Sequence, residues 1–124
     1  FHHVQVQLKN SELGKIGEDI ATIYLQDLGY EILGRNWRFK RVELDIIAQI
    51  NSTLVFCEVK TRRSISHGVP SDAITPLKLQ HIRTAALHWL SNNQSRHQGI
   101  RFDAISVIYC DSQPPTISHI KGIE

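Results

Sequence analysis

Apolar residues recur at three-and-four spacing between residues 11 and 28, at Leu13, Ile16, Ile20, Ile23, Tyr24 and Leu28, which predicts a helix with one buried stripe. Ser11 stands where an N-cap belongs and Gly29 where a helix stops. Three runs rich in strand-forming residues follow, over 30–38, 42–50 and 53–62, and the Asn51-Ser52 pair between the last two suits a hairpin turn. A polar stretch over 63–71, with Gly68 and Pro70, reads as a loop. Thr75-Pro76 then supplies a cap and a first-turn proline for a second helix to about residue 93, with a stripe at Leu79, Ile82, Ala86, Trp89 and Leu90. A strand over 102–110, a turn over 111–115 and a short edge strand over 116–120 complete the order α-β-β-β-α-β-β. That order predicts one α/β domain over residues 1–124, a central mixed sheet flanked by helices, with residues 1–10 a flexible or tag-derived N-terminus.

Composition changes this picture little. A chain of 124 residues, 41% hydrophobic, can bury one core without disulfides or a structural metal. Cys57 and Cys110 both fall in apolar runs and read as buried, reduced core residues. No run approaches the ~18 apolar residues of a membrane span, so the chain is expected to be soluble and cytoplasmic. Cysteine and histidine spacing gives no zinc pattern, and serine and histidine placement gives no hydrolase triad.

The net charge of +2 is small, but its distribution is uneven. Residues 73–102 contain no Asp or Glu, whereas acidic residues gather early, at Glu12, Glu18, Asp19, Asp27 and Glu31. Arg35, Arg38, Lys40 and Arg41 form a basic cluster interleaved with Trp37 and Phe39, and Arg62, Arg63 and Lys78 extend it. These seven are the candidates for phosphate contact, although a solvated charged face has the same composition. Arg62, Arg63 and His67 flank a loop placed to close over a substrate.

Chemistry enters through two strands. Period-two alternation puts Glu43, Asp45 and Ile47 on one face of the second strand, and groups Leu54, Phe56, Glu58 and Lys60 on one face of the third. A face that starts Leu, Phe and continues Glu, Lys is unusual for plain core, because desolvating an uncompensated charge costs several kcal/mol. A hairpin turn at residues 51 and 52 brings the Asp45 region beside the Glu58 region, where two carboxylates suit a hard cation such as Mg²⁺ or Mn²⁺. Lys60, two residues beyond Glu58, then lies where an ammonium can offset charge on an attacked phosphate. A cross-strand ion pair of Lys60 with Asp45 or Glu58 on an exposed face is the alternative.

Gly14 to Glu18, Val42 to Ala48, Leu54 to Arg62 and Arg101-Phe102-Asp103 together resemble the YraN-like family of small bacterial proteins. That family resembles Holliday junction resolvases and the wider Pro-Asp…(Asp/Glu)-x-Lys nuclease superfamily. The resemblance implies a restriction-endonuclease-like three-layer sandwich and a divalent-metal-dependent nuclease acting on nucleic acid, DNA before RNA, with branched or structured DNA as a candidate substrate. It implies metal binding by Asp45 and Glu58, the Val59 carbonyl as a further ligand, and Lys60 as the catalytic lysine. Glu18 matches the additional acidic residue on the first helix of resolvase-like members, and Glu43 stands beside the site as a supporting or alternative carboxylate. Gly14, Gly17, Ala21 and Thr22 also surround Glu18 at helical spacing, a low-relief patch for a sheet or a substrate to approach. Asp103 is expected to pair with a neighbouring arginine. Resolvase-like relatives act as dimers, so the resemblance also raises a homodimer. The rival function is a catalytically inactive nucleic-acid-binding protein on the same scaffold.

Overall fold

A computed structural model of the chain describes residues 9–64 and 74–123. Most of the predicted loop over 63–71, with Gly68, Pro70 and His67, lies outside the described residues, as does most of the predicted N-terminal arm. The elements are α1 (Asn10–Asp27), β1 (Glu31–Phe39), β2 (Val42–Ile50), β3 (Thr53–Arg62), α2 (Pro76–Asn92), β4 (Gly99–Cys110) and β5 (Gln113–Ile120). They occur in the predicted order.

The five strands form one sheet in sequence order. Only β3 and β4 run parallel, joined by the crossover through α2; the other pairs are antiparallel. The two helices cover opposite faces. Leu25 and Ala21 of α1 pack with Ile46, Ala48, Val55, Cys57, Ile105 and Val107. On the other side Ile82, Ala85, Ala86 and Trp89 of α2 pack with Leu44, Ile47, Leu54 and Phe56. Three layers result, with the sheet buried on both sides, which explains why its central strands are nearly continuous in apolar residues.

α1 departs from its predicted stripe. Ile23 and Leu28 are more than half exposed, and the face turned to the sheet is Leu13, Gly17, Ala21, Thr22 and Leu25. The small residues let the helix approach closely. A Cβ on Gly17 would overlap the side chain of Thr61 on β3. The start also differs: Lys9, not Ser11, is the cap residue and makes no side-chain bond. The predicted stop holds, with Gly29 at φ 96° and the Gly29 and Tyr30 amides donating to Gln26 and Leu25 carbonyls, a Schellman closure. α2 begins as predicted, Thr75 accepting from the Lys78 amide at 3.1 Å.

Two strand assignments change. β4 starts at Gly99, and β5 takes in Pro114 and Pro115, which the sequence assigns to a turn; an edge strand tolerates proline because its outer side needs no donors. Cys57 is buried, but Cys110 is exposed at the end of β4, where its thiol donates to the Arg63 carbonyl.

Candidate metal centre

Alternation on β2 breaks at the residues that matter. Leu44 and Ile47 both face α2, whereas Ile46 and Ala48 face α1. Across from this break β1 has Asn36 at φ 52°, between the pairs Arg35–Ile46 and Trp37–Leu44. The β2–β3 ladder ends at the pair Ile46–Cys57. Beyond it the Val59 amide donates to the Asp45 carboxylate at 2.8 Å, so a side chain replaces the backbone partner.

This irregularity turns Asp45 and Glu43 toward α1, where Gly17 has brought the next residue, Glu18, down to the sheet. Carboxylate oxygens of Glu18, Glu43 and Asp45 lie within 4.8 Å of one another. Asp45 is buried, and burial followed by the charge of Glu58 raises its pKa to about 8, against the opposing Val59 bond. Burial and then the charge of Glu43 push Glu18 up as well, with the Asn36 hydrogen bond and Arg35 opposing. Arg35 lies 2.8 Å from Asp19 and 3.8 Å from Glu18, and Arg38 lies 3.0 Å from Glu43. Among the described residues, Asp45 has the Val59 bond and no cation.

Glu58 is not one of that trio, yet its charge is the foremost of those that raise Asp45. Its carboxylate turns to the α2 side and pairs with Lys78 at 2.6 Å. Glu58, Lys60 and Lys78 line one narrow cleft with Ser106, whose buried hydroxyl has no partner among the described residues. The expectation that Glu43, Asp45, Glu58 and Lys60 share one face is therefore not met: the first two face α1, and the last two face the cleft beside α2. Val59 sits between the halves and reaches Asp45 through its N–H.

The predicted phosphate contacts divide similarly. Arg38, Lys40 and Arg41 are exposed at the β1–β2 turn, Lys40 held 5.4 Å over the Phe39 ring. Arg35 is turned inward to the acidic residues. Arg63 donates to Asn10 at 3.1 Å, and Arg62 is half-buried at the end of β3. Trp37 and Phe39 are partly buried against the core under α2, and Phe39 stacks on His88 with ring centroids 3.5 Å apart.

Comparison with known proteins bears on all of these positions. The model of the uncharacterised protein family UPF0102 matches residues 17–107. The chain belongs to this family. It is 45% identical to a UPF0102 protein of Nocardia farcinica, covering 90% of this chain and 87% of that protein. A UPF0102 protein of Geotalea daltonii is 46% identical, covering 90% and 88%, and one of Pelobacter propionicus is 47% identical, covering 90% and 81%. The UPF0102 match spans every carboxylate of the centre, together with Lys60 and Lys78.

The chain also holds a buried group that the sequence disclosed only in part. Asp103, fully buried on β4, accepts from Arg101 through Nε and Nη2 at 2.8 and 2.9 Å, the arginine pairing that was expected. It also bonds His119 Nε2 at 2.8 Å and the Gly122 amide at 3.1 Å. Tyr24 meets His119 Nδ1 at 2.9 Å, and Arg101 donates to the Tyr30 hydroxyl. The available signal was His119 itself, a polar residue in step with Ile117 on the inward parity of β5.

Proposed function

We propose that the chain is a divalent-metal-dependent nuclease that hydrolyses phosphodiester bonds in nucleic acid, with branched or structured DNA as the substrate class. A reduced, cytoplasmic setting accords with two free cysteines. The observation that carries the reading is the cluster of Glu18, Glu43 and Asp45 within 4.8 Å. Hard cations take oxygen ligands, and a divalent ion relieves the repulsion and desolvation that hold Asp45 protonated to about pH 8. The donor set therefore fits Mg²⁺ or Mn²⁺. Such an ion, when bound, supplies Lewis acidity and an activated water.

The chain's own residues do the remainder. The Val59 amide fixes the Asp45 carboxylate, and Gly17 fixes the depth of Glu18. Arg38, Lys40 and Arg41 offer exposed charge that draws a phosphate backbone to this end of the sheet. Lys60 presents an ammonium at the cleft beside Glu58, the carboxylate whose charge acts most on Asp45, and from there it would offset negative charge on an attacked phosphate. The second reading, nucleic-acid binding without turnover, is favoured by one observation: Glu58 is engaged by Lys78 rather than joined to the trio.

A cleavage panel of single-stranded, duplex, nicked and four-way-junction DNA with structured RNA, in Mg²⁺ and in Mn²⁺, separates these. Metal-dependent cleavage of at least one substrate is expected. Lys60→Ala should lower turnover by roughly 10²-fold or more with Mn²⁺ binding retained, and Asp45→Asn should lose both. Equal cleavage by all three chains would mean a contaminating nuclease. Salt-sensitive binding with no cleavage would favour the second reading.

A further inference from the structure

Lys78 occupies a position that its own helix disfavours. It lies in the first turn of α2, which holds no acidic residue, and a cation there opposes the helix dipole. Its backbone is fixed all the same, because its amide is the donor to the Thr75 cap. From that anchor the side chain reaches Glu58 at 2.6 Å, with Glu58 13% exposed and Lys78 43% exposed. Glu58 precedes Val59, whose N–H holds Asp45, and its charge acts on Asp45 before that of any other acid, so the glutamate that Lys78 engages borders the centre.

We infer that Lys78 is a built-in counter-ion that occupies Glu58 in the metal-free protein and competes with the divalent cation for it. The inference rests on the metal-dependent reading above. On loading, Glu58 exchanges the ammonium for the metal centre, and Lys78, already at the cleft that Lys60 lines, is released toward a substrate phosphate. Lys78 is thus a positioning residue acting through Glu58. Metal binding and phosphate binding are coupled by one ion-pair exchange, and the coupling is reciprocal.

Isothermal titration with Mn²⁺ alone tests this on four full-length chains: wild type, Lys78→Met, Glu58→Gln and the double variant. Methionine keeps the apolar stem and removes the charge, and thermal melts confirm that each chain is folded. Lys78→Met should bind Mn²⁺ roughly fivefold more tightly, the scale of a partly exposed ion pair, and this gain should disappear in the Glu58→Gln background. An unchanged or weaker affinity for Lys78→Met would overturn the inference. So would an equal gain in both backgrounds, which would mean a general effect of positive charge near the acids. Lys78→Gln, a second neutral variant, must follow Lys78→Met, and a divergence between them would overturn it too. If neither wild type nor Lys78→Met binds Mn²⁺, the metal-dependent reading itself falls and the inference with it, whereas failure of the inference alone leaves wild-type binding intact.

Discussion

Two aspartates are buried in this one sheet, and their surroundings are opposite. Asp103 is 0% exposed and Asp45 7% exposed, so both carry the desolvation that disfavours a charge. At Asp103 burial is outweighed by bonds from His119, Arg101 and the Gly122 amide, which together hold its carboxyl below the ordinary range. At Asp45 the Val59 amide is the sole opposing bond, and Glu58, Glu18 and Glu43 add to the burial. A saturated buried carboxylate ties elements together: here β4, β5 and the residues around the end of α1. An undersaturated one among like charges is, on the reading proposed above, where a cation would bind. On that same reading, the contrast separates a structural carboxylate on β4 from a reactive one on β2, two strands apart at nearly the same level of the sheet.

The largest expected effect tests the structural half. Asp103→Ala leaves the Arg101 guanidinium and His119 without their acceptor, and breaking a buried pair in this way costs about 3–5 kcal/mol. Urea unfolding at neutral pH should show that loss, and if the variant still folds its Mn²⁺ affinity should match wild type. A cost under about 1 kcal/mol, the value of an exposed pair, would erase the distinction between the two aspartates.

Gly17→Ala falls next. The new methyl would overlap the Thr61 side chain, so α1 must lift from β3, at roughly 1–3 kcal/mol for overpacking. Because Glu18 follows directly, Mn²⁺ affinity should fall together with stability, and Thr61→Gly in the same chain should restore part of both. Lost stability with unaltered Mn²⁺ affinity would remove Glu18 from the centre.

What the sequence disclosed and what it withheld divide along the same line. Element order and the α2 stripe were legible because local periodicity determines them, as were the Gly29 stop and the turn at Asn51 and Ser52. The small residues around Glu18 did mark a close approach, and Gly17 against Thr61 realises it. The sharing of Asp45 between strands was not legible, because strict alternation assumes an unbroken ladder. Here a left-handed Asn36 and the loss of β2–β3 pairing past Ile46 reverse the faces. The Glu58–Lys78 pair was hidden for another reason, since it joins a strand to a helix whose packing local periodicity does not give, whereas His119 carried a mark in its inward parity on β5. Ile23 was misplaced because periodicity reports which residues are apolar, whereas contact depth favoured the smaller face of α1.

The smallest effect is also the most discriminating, since the two aspartates give stability opposite dependences on pH. The folded chain retains the Asp45 proton to about pH 8, while the unfolded chain releases it near the ordinary value of 3.8. Between those limits the folded state binds more protons, so this group makes stability fall as pH rises. Asp103, with its carboxyl held low, contributes stability above its unfolded value that is lost in acid. Asp45→Asn removes the ionisation and keeps an oxygen for the Val59 amide. Without added metal the variant should therefore be the more stable chain above about pH 8 by about 1 kcal/mol or more, the order of one pKa unit, and its stability should decline less between pH 5 and that point. Mn²⁺ should stabilise wild type there and leave the variant unchanged, because only an ionised Asp45 binds the ion. Urea melts across that range decide the matter: a variant less stable than wild type at every pH would place Asp45 with Asp103, as a carboxylate that the fold needs charged.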